Sequence, residues 1–159
     1  MRSADTSPSA KPFALLRQSS SISRTHEKKL PDNPTPAACT ALVAEDEWLV
    51  RMDIVSALED AGFVVVEAES AEHALLLMGE VQAQVLVTDI RLAGALDGWS
   101  LAEEYRRGHP AGGVVYASAN VPLADRQVDD SVFFSKPVLM SALVEACLGL
   151  CGDQDKRPR

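Results

Sequence analysis

Five short apolar runs, rich in β-branched and aromatic side chains, recur along the chain from residue 41 onwards. They occupy residues 41–44, 63–66, 85–88, 114–117 and 132–134. Most of them lack the polar alternation of a strand with one face in water, which is typical of strands buried on both faces. The pattern therefore predicts a parallel sheet covered by helices.

Longer segments with helical spacing of apolar residues separate these runs and predict the covering helices. The predicted helices span residues 47–61, 71–80, 99–107 and 137–150. Gly62 follows the first as a stop, Ser70 can cap the second, and Pro137 can occupy the first turn of the last. In the first helix Leu49, Met52, Val55 and Leu58 recur at every third position. In the last, the residues expected to face inward are Leu139, Leu143, Ala146, Cys147 and Leu150.

The segment after the fourth apolar run is the weakest of the helical segments. Pro122 and the polar stretch 125–130 leave room for only a turn or two of helix. Strands that alternate with helices predict an α/β fold with right-handed crossovers. We therefore expect a five-stranded parallel sheet, doubly wound as (βα)5, with a short or irregular fourth helix.

The chain has 159 residues, which is room for one ordinary domain with tails. Residues 1–38 hold seven Ser, five Pro and an excess of basic over acidic residues, so they are predicted to form a disordered basic tail. Residues 39–150 form the predicted domain, and 151–159 a polar C-terminal tail. No apolar run approaches the roughly 18 residues of a membrane helix, so no membrane partner is expected.

Charge and cysteine content narrow the function classes further. The net charge is −8, and residues 39–150 carry eighteen acidic against six basic residues, which argues against nucleic acid as a partner. Cys39, Cys147 and Cys151 form no CxxC pair and no zinc-finger spacing. An odd number of cysteines without a secretory signal predicts free thiols in a reducing compartment, and hence a cytoplasmic protein.

Polar side chains follow four of the predicted strands at their carboxyl ends, where α/β folds place their working sites. Glu45 and Asp46 follow the first strand, Asp89 the third, Ser118 ends the fourth, and Lys136 follows the fifth. Carboxylates this close would raise one another's pKa unless a cation compensated them. An oxygen-rich site with room for waters fits Mg²⁺ best.

These residues lie in short motifs whose order and spacing are specific in combination. The motifs are Leu42-Val43-Ala44-Glu45-Asp46, Val87-Thr88-Asp89-Ile90, Asp97-Gly98, Tyr116-Ala117-Ser118-Ala119 and Phe134-Ser135-Lys136-Pro137. Over about residues 40–150 the chain resembles the receiver domain of two-component response regulators. The resemblance implies the flavodoxin-like (βα)5 receiver fold.

The resemblance also implies a role for each site residue. Asp89 would accept a phosphoryl group. The implied Mg²⁺ ligands are Glu45, Asp46, Asp89 and the backbone carbonyl of Arg91. The implied phosphoryl-binding and switch groups are Ser118, the backbone N–H of Ala119, Lys136 and Phe133. Arg91 and Asn120 would flank the path of the hydrolytic water and tune dephosphorylation.

The function so implied is a phosphorylation-controlled switch of a two-component or phosphorelay system. No output domain is expected, so the protein would act by phosphotransfer or by binding a protein target that the sequence does not identify. Its expected partner is a sensor histidine kinase or a histidine phosphotransfer protein. It would be no enzyme beyond its own phosphoryl transfer and slow autodephosphorylation. The alternatives are a pseudo-receiver without phosphorylation and an aspartate-nucleophile phosphohydrolase. The phosphohydrolase family requires a second acidic residue two positions after the nucleophile, where this chain has Arg91.

The sequence departs from the family's usual pattern at several positions. Glu45 replaces the commoner Asp, and Ser118 replaces the commoner Thr. The loop after Asp89 lacks a frequent Pro, contains Gly94, and reaches the Asp-Gly pair one residue late. Only seventeen residues separate Ser118 from Lys136, which is short for the family.

Overall fold

The computed structural model describes residues 38–152, so residues 1–37 of the predicted N-terminal tail and residues 153–159 lie outside the described part. Strands and helices follow one another as β1 (Thr40–Ala44), α1 (Trp48–Asp60), β2 (Val64–Ala68), α2 (Ala71–Met78), β3 (Val85–Thr88), α3 (Gly98–Gly108), β4 (Gly113–Ser118), β5 (Val132–Ser135) and α4 (Met140–Gly152). All five predicted strands are present, each within two residues of its predicted bounds.

The five strands form one parallel sheet in the order β2-β1-β3-β4-β5. In β3 and β4 every residue is buried, and in β1 every residue after the first. Ala44 of β1 pairs with Thr88 of β3, and Thr88 pairs with Tyr116 of β4. The predicted fold is confirmed, and this register brings the residues after β1 and β3 side by side.

Two apolar cores cover the two faces of the sheet. Helices α2 and α3 pack on one face, where Leu42, Leu86 and Tyr116 are fully buried. On the other face α1 and α4 pack on Val43 and Val87. Among residues 38–152, every helix is too short or too polar to span a lipid bilayer.

The buried face of α1 differs from the three-residue stripe in the sequence. Leu58 is fully buried, but its buried partner is Ile54, while Leu49 is 63% exposed and Met52 is also exposed. A helix turns 100° per residue, so a spacing of three drifts by about 60° at each step. A stripe that starts at Leu49 therefore leaves the buried face, whereas the four-residue step from Ile54 to Leu58 stays on it.

The connection from β4 to β5 contains turns and no helix over residues 119–131, where a short or irregular helix was expected. Polar contacts hold it on the neighbouring elements. Arg106 of α3 donates to the carbonyl of Asp129 at 2.7 Å, and the N–H of Val128 donates to the Tyr116 hydroxyl at 3.4 Å. The described part of the chain thus has four helices.

Helix α4 begins later and ends later than the sequence indicates. Pro137 precedes its first residue, Met140, and the bond between Lys136 and Pro137 is cis. Leu143 and Cys147 are buried as expected, but Leu139, which was expected to face inward, is 72% exposed because it lies before the helix begins. The helix continues two residues past the predicted end.

Cys39 and Cys151 form a disulfide, with their Cα atoms 6.5 Å apart. The prediction of three free thiols is therefore wrong for two of them, and the inference of a reducing compartment loses that support. A helix that follows a parallel strand runs back towards the sheet's amino edge. The end of α4 thereby meets the start of β1, although 112 residues separate the two cysteines. Cys147 remains a free, buried thiol.

Thiol titration tests this disulfide. We expect one reactive thiol in the unreduced, denatured chain and three after reduction. In the folded chain Cys147 should resist labelling at mildly alkaline pH, because burial raises the pKa of its thiol to about 12.

Cys151→Ser provides the matching control. Without reductant the denatured variant should show two thiols, and its free energy of unfolding should fall by on the order of 3 kcal/mol because a long loop is no longer closed. Three thiols in the unreduced wild type would contradict the disulfide.

Candidate functional site

The carboxyl ends of β1, β3, β4 and β5 meet at one edge of the sheet and bring the predicted site residues together. The backbone N–H of Asp89 donates to the carbonyl of Ala44 at 3.0 Å, and that of Lys136 donates to the carbonyl of Ser118 at 2.9 Å. These bonds continue the strand pairing one residue beyond the strands themselves. Residues that directly follow different strands therefore lie next to one another in one site.

An ammonium group lies between two carboxylates at the centre of this edge. Lys136 Nζ is 2.7 Å from Glu45 Oε2 and 2.7 Å from Asp89 Oδ2. Glu45 is 1% exposed and Asp89 8%. Burying two neighbouring carboxylates destabilises the fold, because both lose hydration and they repel each other. The shared lysine offsets both effects.

The Asp89 carboxylate is held by three donors. Besides Lys136 on Oδ2, the hydroxyl of Ser118 donates to Oδ1 at 2.6 Å and the backbone N–H of Arg91 donates to Oδ1 at 3.1 Å. The Ser118 hydroxyl also accepts from the N–H of Asn120 at 3.3 Å. These contacts fix the orientation of the carboxylate.

Burial and pairing move the pKa values of the central pair. Burial raises the pKa of Glu45 above its ordinary value, and the hydrogen bond from Lys136 only partly opposes this. Burial also acts to lower the pKa of Lys136, but hydrogen bonds to Asp89 and Glu45 outweigh it, so the pKa of Lys136 is raised. The lysine therefore stays charged at neutral pH.

Three carboxylates form a donor set suited to a hard cation. One oxygen each of Glu45, Asp46 and Asp89 lies within 4.8 Å of the others. All three are oxygen donors, and Asp46 is exposed, which leaves space for water ligands as Mg²⁺ prefers. The residues present thus fit a divalent cation. The role of the Arg91 backbone carbonyl as a metal ligand stays a prediction.

The Asp97-Gly98 pair begins α3 and packs directly beneath the site. The Asp97 carboxylate caps the helix by accepting from the N–H of Ser100 at 2.8 Å. A Cβ on Gly98 would collide with the backbone carbonyl of Asp89, so only glycine allows this approach. The pair therefore supports the backbone that carries Asp89.

The remaining predicted residues lie around this centre. Phe133 is half-buried and packs against Trp99 and Tyr116, with ring centroids 6.5 Å and 6.3 Å away. Arg91 and Asn120 line one cleft beside the site, and the Arg91 side chain is exposed. Their roles, and that of the Ala119 N–H, stay predictions.

Three further residues support the site and were missed by the sequence analysis. Arg51 of α1 donates to the carbonyl of Glu45 at 2.6 Å, and the Thr88 hydroxyl donates to the carbonyl of Asp89 at 2.8 Å. Glu72 of α2 accepts from the loop that follows Asp89. Each of these side chains bonds to backbone atoms of its partner. Because nearly every residue type carries the same backbone groups, the sequence does not reveal such partners. Only Thr88 could have been noticed from the sequence, because it ends β3 directly before Asp89.

The chain matches the family described as "Response regulator receiver domain" over residues 41–147. That match covers more than half of the chain, and every motif behind the resemblance lies within it. The chain belongs to this family, as its sheet order and the carboxylate cluster at the strand ends lead one to expect.

Individual relatives agree with this assignment. The sensor kinase CckA of Brucella abortus (strain 2308) is 39% identical over 75 residues, which is 46% of this chain but only 8% of that kinase. A response regulator receiver protein from Sinorhizobium medicae WSM419 is 34% identical, with 74% of this chain and 98% of that chain covered and a TM-score of 0.71. A CheY-like receiver domain from Methanospirillum hungatei JF-1, 20% identical, covers 75% of this chain and 98% of its own at a TM-score of 0.67, and supports the fold alone.

Replacing the central lysine tests the electrostatics of the site. In the absence of divalent cations Lys136→Met should lower the free energy of unfolding by about 2 kcal/mol, less than is typical of a fully buried pair, because Lys136 is partly exposed. Saturating Mg²⁺ should recover part of the loss, since it would compensate the same carboxylates. Denaturant unfolding with and without Mg²⁺ measures both effects.

Arg107→Met is the matched control, because Arg107 pairs with Glu104 on the exposed surface of α3. Its loss should stay below about 1 kcal/mol and should not respond to Mg²⁺. Equal losses in the two variants would show that the buried charges do not depend on Lys136.

Proposed function

We propose that this protein is a phosphorylation-controlled signalling switch that accepts a phosphoryl group on Asp89. The observation that carries the proposal is the Asp89 carboxylate, held between the Lys136 ammonium and the Ser118 hydroxyl beside two further acids. A cluster of acids around one oriented aspartate suits the transfer of a charged group better than a structural role. The side chains that the chemistry needs therefore lie in one place, and a divalent cation would complete the site.

In the proposed reaction an Asp89 oxygen attacks the phosphorus of the donor. The new O–P bond forms as the bond from phosphorus to the donor's leaving group breaks. Such transfers need positioning and charge neutralisation more than covalent help. Lys136 supplies a fixed positive charge next to the attacking carboxylate. Mg²⁺, held by Glu45, Asp46 and Asp89, would neutralise negative charge on the phosphoryl oxygens.

The hydroxyl of Ser118 couples this chemistry to the fold. In the unphosphorylated chain it donates to Asp89 Oδ1 at 2.6 Å. A phosphoryl group on the carboxylate offers new acceptor oxygens, so the hydroxyl turns towards them. Ser118 ends β4, next to the turn-rich connection and to the aromatic cluster of Tyr116 and Phe133. The change can therefore reach the surface through these residues.

A sensor histidine kinase or a histidine phosphotransfer protein is the proposed donor. The similarity to part of a sensor kinase supports this class of partner. A cytoplasmic location stays part of the proposal, although the Cys39–Cys151 disulfide removes the support that free thiols would have given it. The protein then acts as a switch or a phosphoryl carrier, and not as an enzyme that turns over a separate substrate.

Removing the acceptor oxygen tests the proposal. With a small phosphodonor and Mg²⁺ the wild type should gain the mass of one phosphoryl group and shift on a phosphate-affinity gel. Asp89→Asn keeps the shape but loses the nucleophilic oxygen, so it should show neither change. Asp46→Ala should be labelled at least severalfold more slowly, because a ligand of the cation is lost.

Asp60→Asn is the matched control, since Asp60 is an exposed aspartate at the far end of α1. It should be labelled as the wild type is. Labelling of Asp89→Asn at the wild-type level would overturn the assignment, and a wild type that takes up no phosphate would favour a pseudo-receiver.

The lifetime of the phosphorylated state tests the role of Arg91. Its guanidinium lies at the rim of the cleft that Asn120 also lines, from which water would attack in line. A guanidinium that pairs with phosphoryl oxygens shields them, so Arg91→Asn should speed decay severalfold. The measurement is phosphate release after donor removal at saturating Mg²⁺, with Arg107→Asn as the control. Unchanged or slower decay in Arg91→Asn would show that the side chain does not shield the site.

A further inference from the structure

The loop from Asp89 to Asp97 is fastened at a second point, away from the phosphorylation site. The backbone N–H groups of Ala95 and Leu96 both donate to Glu72 Oε1, at 2.8 Å and 3.1 Å. Ala93 of the same loop forms a parallel bridge with Ser70, the N-cap of α2. The Glu72 side chain and the Ser70 backbone therefore bind the loop, and every contacting group on the loop side belongs to its backbone.

Gly94 makes this contact possible. Its φ of +112° lies in the left-handed region that favours glycine, and a Cβ there would lie 2.5 Å from Glu72 Oε2. This glycine belongs to the loop that reaches the Asp-Gly pair one residue later than is usual for the family. The Glu72 carboxylate occupies the space that the glycine leaves.

The beginning of the loop is bound to the Asp89 carboxylate, and the residue after its end is bound back to the beginning. The N–H of Arg91 donates to Asp89 Oδ1 at 3.1 Å, and the N–H of Gly98 donates to the carbonyl of Ile90 at 2.8 Å. Between these ends Ala93, Gly94 and Ala95 are exposed. On either side of this stretch Leu92 and Leu96 pack against the core, whereas the stretch itself is held by the hydrogen bonds to Glu72 and the bridge to Ser70.

We propose that Glu72 is a positioning residue that holds the loop after Asp89 in the conformation that binds the divalent cation. The inference rests on the proposed function, because it concerns the cation of that same site. Glu72 touches neither the carboxylate cluster nor the phosphoryl group. It acts through the backbone of Ala95 and Leu96, as residues behind a metal site commonly orient the groups that bind the metal.

The charge state of Glu72 agrees with this role. Its own backbone N–H and that of Ala95 lower the pKa of the carboxyl below its ordinary value. Glu72 is therefore ionised at neutral pH, and a carboxylate is the stronger acceptor for the two loop N–H groups.

A competing explanation is that Glu72 acts only by its charge. It lines one cleft with Asp46 and Glu69, so its charge alone could attract a cation. Two conservative variants distinguish the effect of the Glu72 charge from the effect of its hydrogen bonds to the loop. Glu72→Gln removes the charge but keeps an acceptor oxygen in place, whereas Glu72→Asp keeps the charge but is one methylene too short to reach the loop.

The experiment is a calorimetric Mg²⁺ titration of the full chain, with hydrogen exchange of residues 91–97 as the structural readout. Glu72→Asp should weaken Mg²⁺ binding by about tenfold, the low end for residues behind a metal site, and speed exchange in the loop. Glu72→Gln should stay within about threefold of the wild type, because a single screened surface charge contributes little. Glu69→Gln, which removes an exposed charge from the same cleft, is the control for charge alone.

The outcomes are distinct. If Glu72→Asp binds Mg²⁺ as the wild type does while Glu72→Gln and Glu69→Gln both lose affinity, charge and not positioning explains the effect, and the proposal is overturned. Wild-type affinity and exchange in all variants would overturn it too.

A wild type that binds no Mg²⁺ would refute the proposed function as well, whereas phosphorylation of Asp89 with an unaffected Glu72→Asp would refute this inference alone. Aspartate is also favourable in a first helical turn, so the variant should fold, and thermal unfolding checks this.

Discussion

The ammonium of Lys136, placed between Glu45 and Asp89, is the interaction on which this end of the molecule depends. Both carboxylates lie at buried positions directly after β1 and β3, where an unpaired charge would destabilise the fold. One lysine compensates two acids, so the cluster as a whole keeps a negative charge and still favours a cation. The buried carboxylates are thus compensated within the chain itself, and the exposed Asp46 adds negative charge at the same edge of the sheet.

Parallel pairing of the strands makes this arrangement possible. Each strand delivers its next residue to the same edge of the sheet, and the register of β1 with β3 sets Glu45 beside Asp89. The close approach of Gly98 and the bonds from Arg51 and Thr88 then fix the backbone around these residues. The scaffold therefore sets the orientation of the carboxylates.

The periphery of the site is held differently from its centre. The loop after Asp89 and the connection from β4 to β5 both lie over the core with few buried side chains. Polar contacts restrain them, Glu72 for the first and Arg106 for the second. Such contacts cost less to break than a packed core does, so these two segments are the parts of the described chain best able to change conformation.

The sequence alone determined the five strands, the sheet type and which side chains meet at the strand ends, because buried parallel strands read as continuous apolar runs and a residue's place after a strand is a local property. It could not determine which face of α1 is buried or that Leu139 is exposed, since both depend on where a helix begins and packs. Contacts between distant parts of the chain were equally hidden. The Cys39–Cys151 disulfide joins residues 112 apart, and Glu72 binds backbone N–H groups 23 and 24 residues away. Only the folded chain brings such groups together, and a backbone N–H looks alike in every residue except proline.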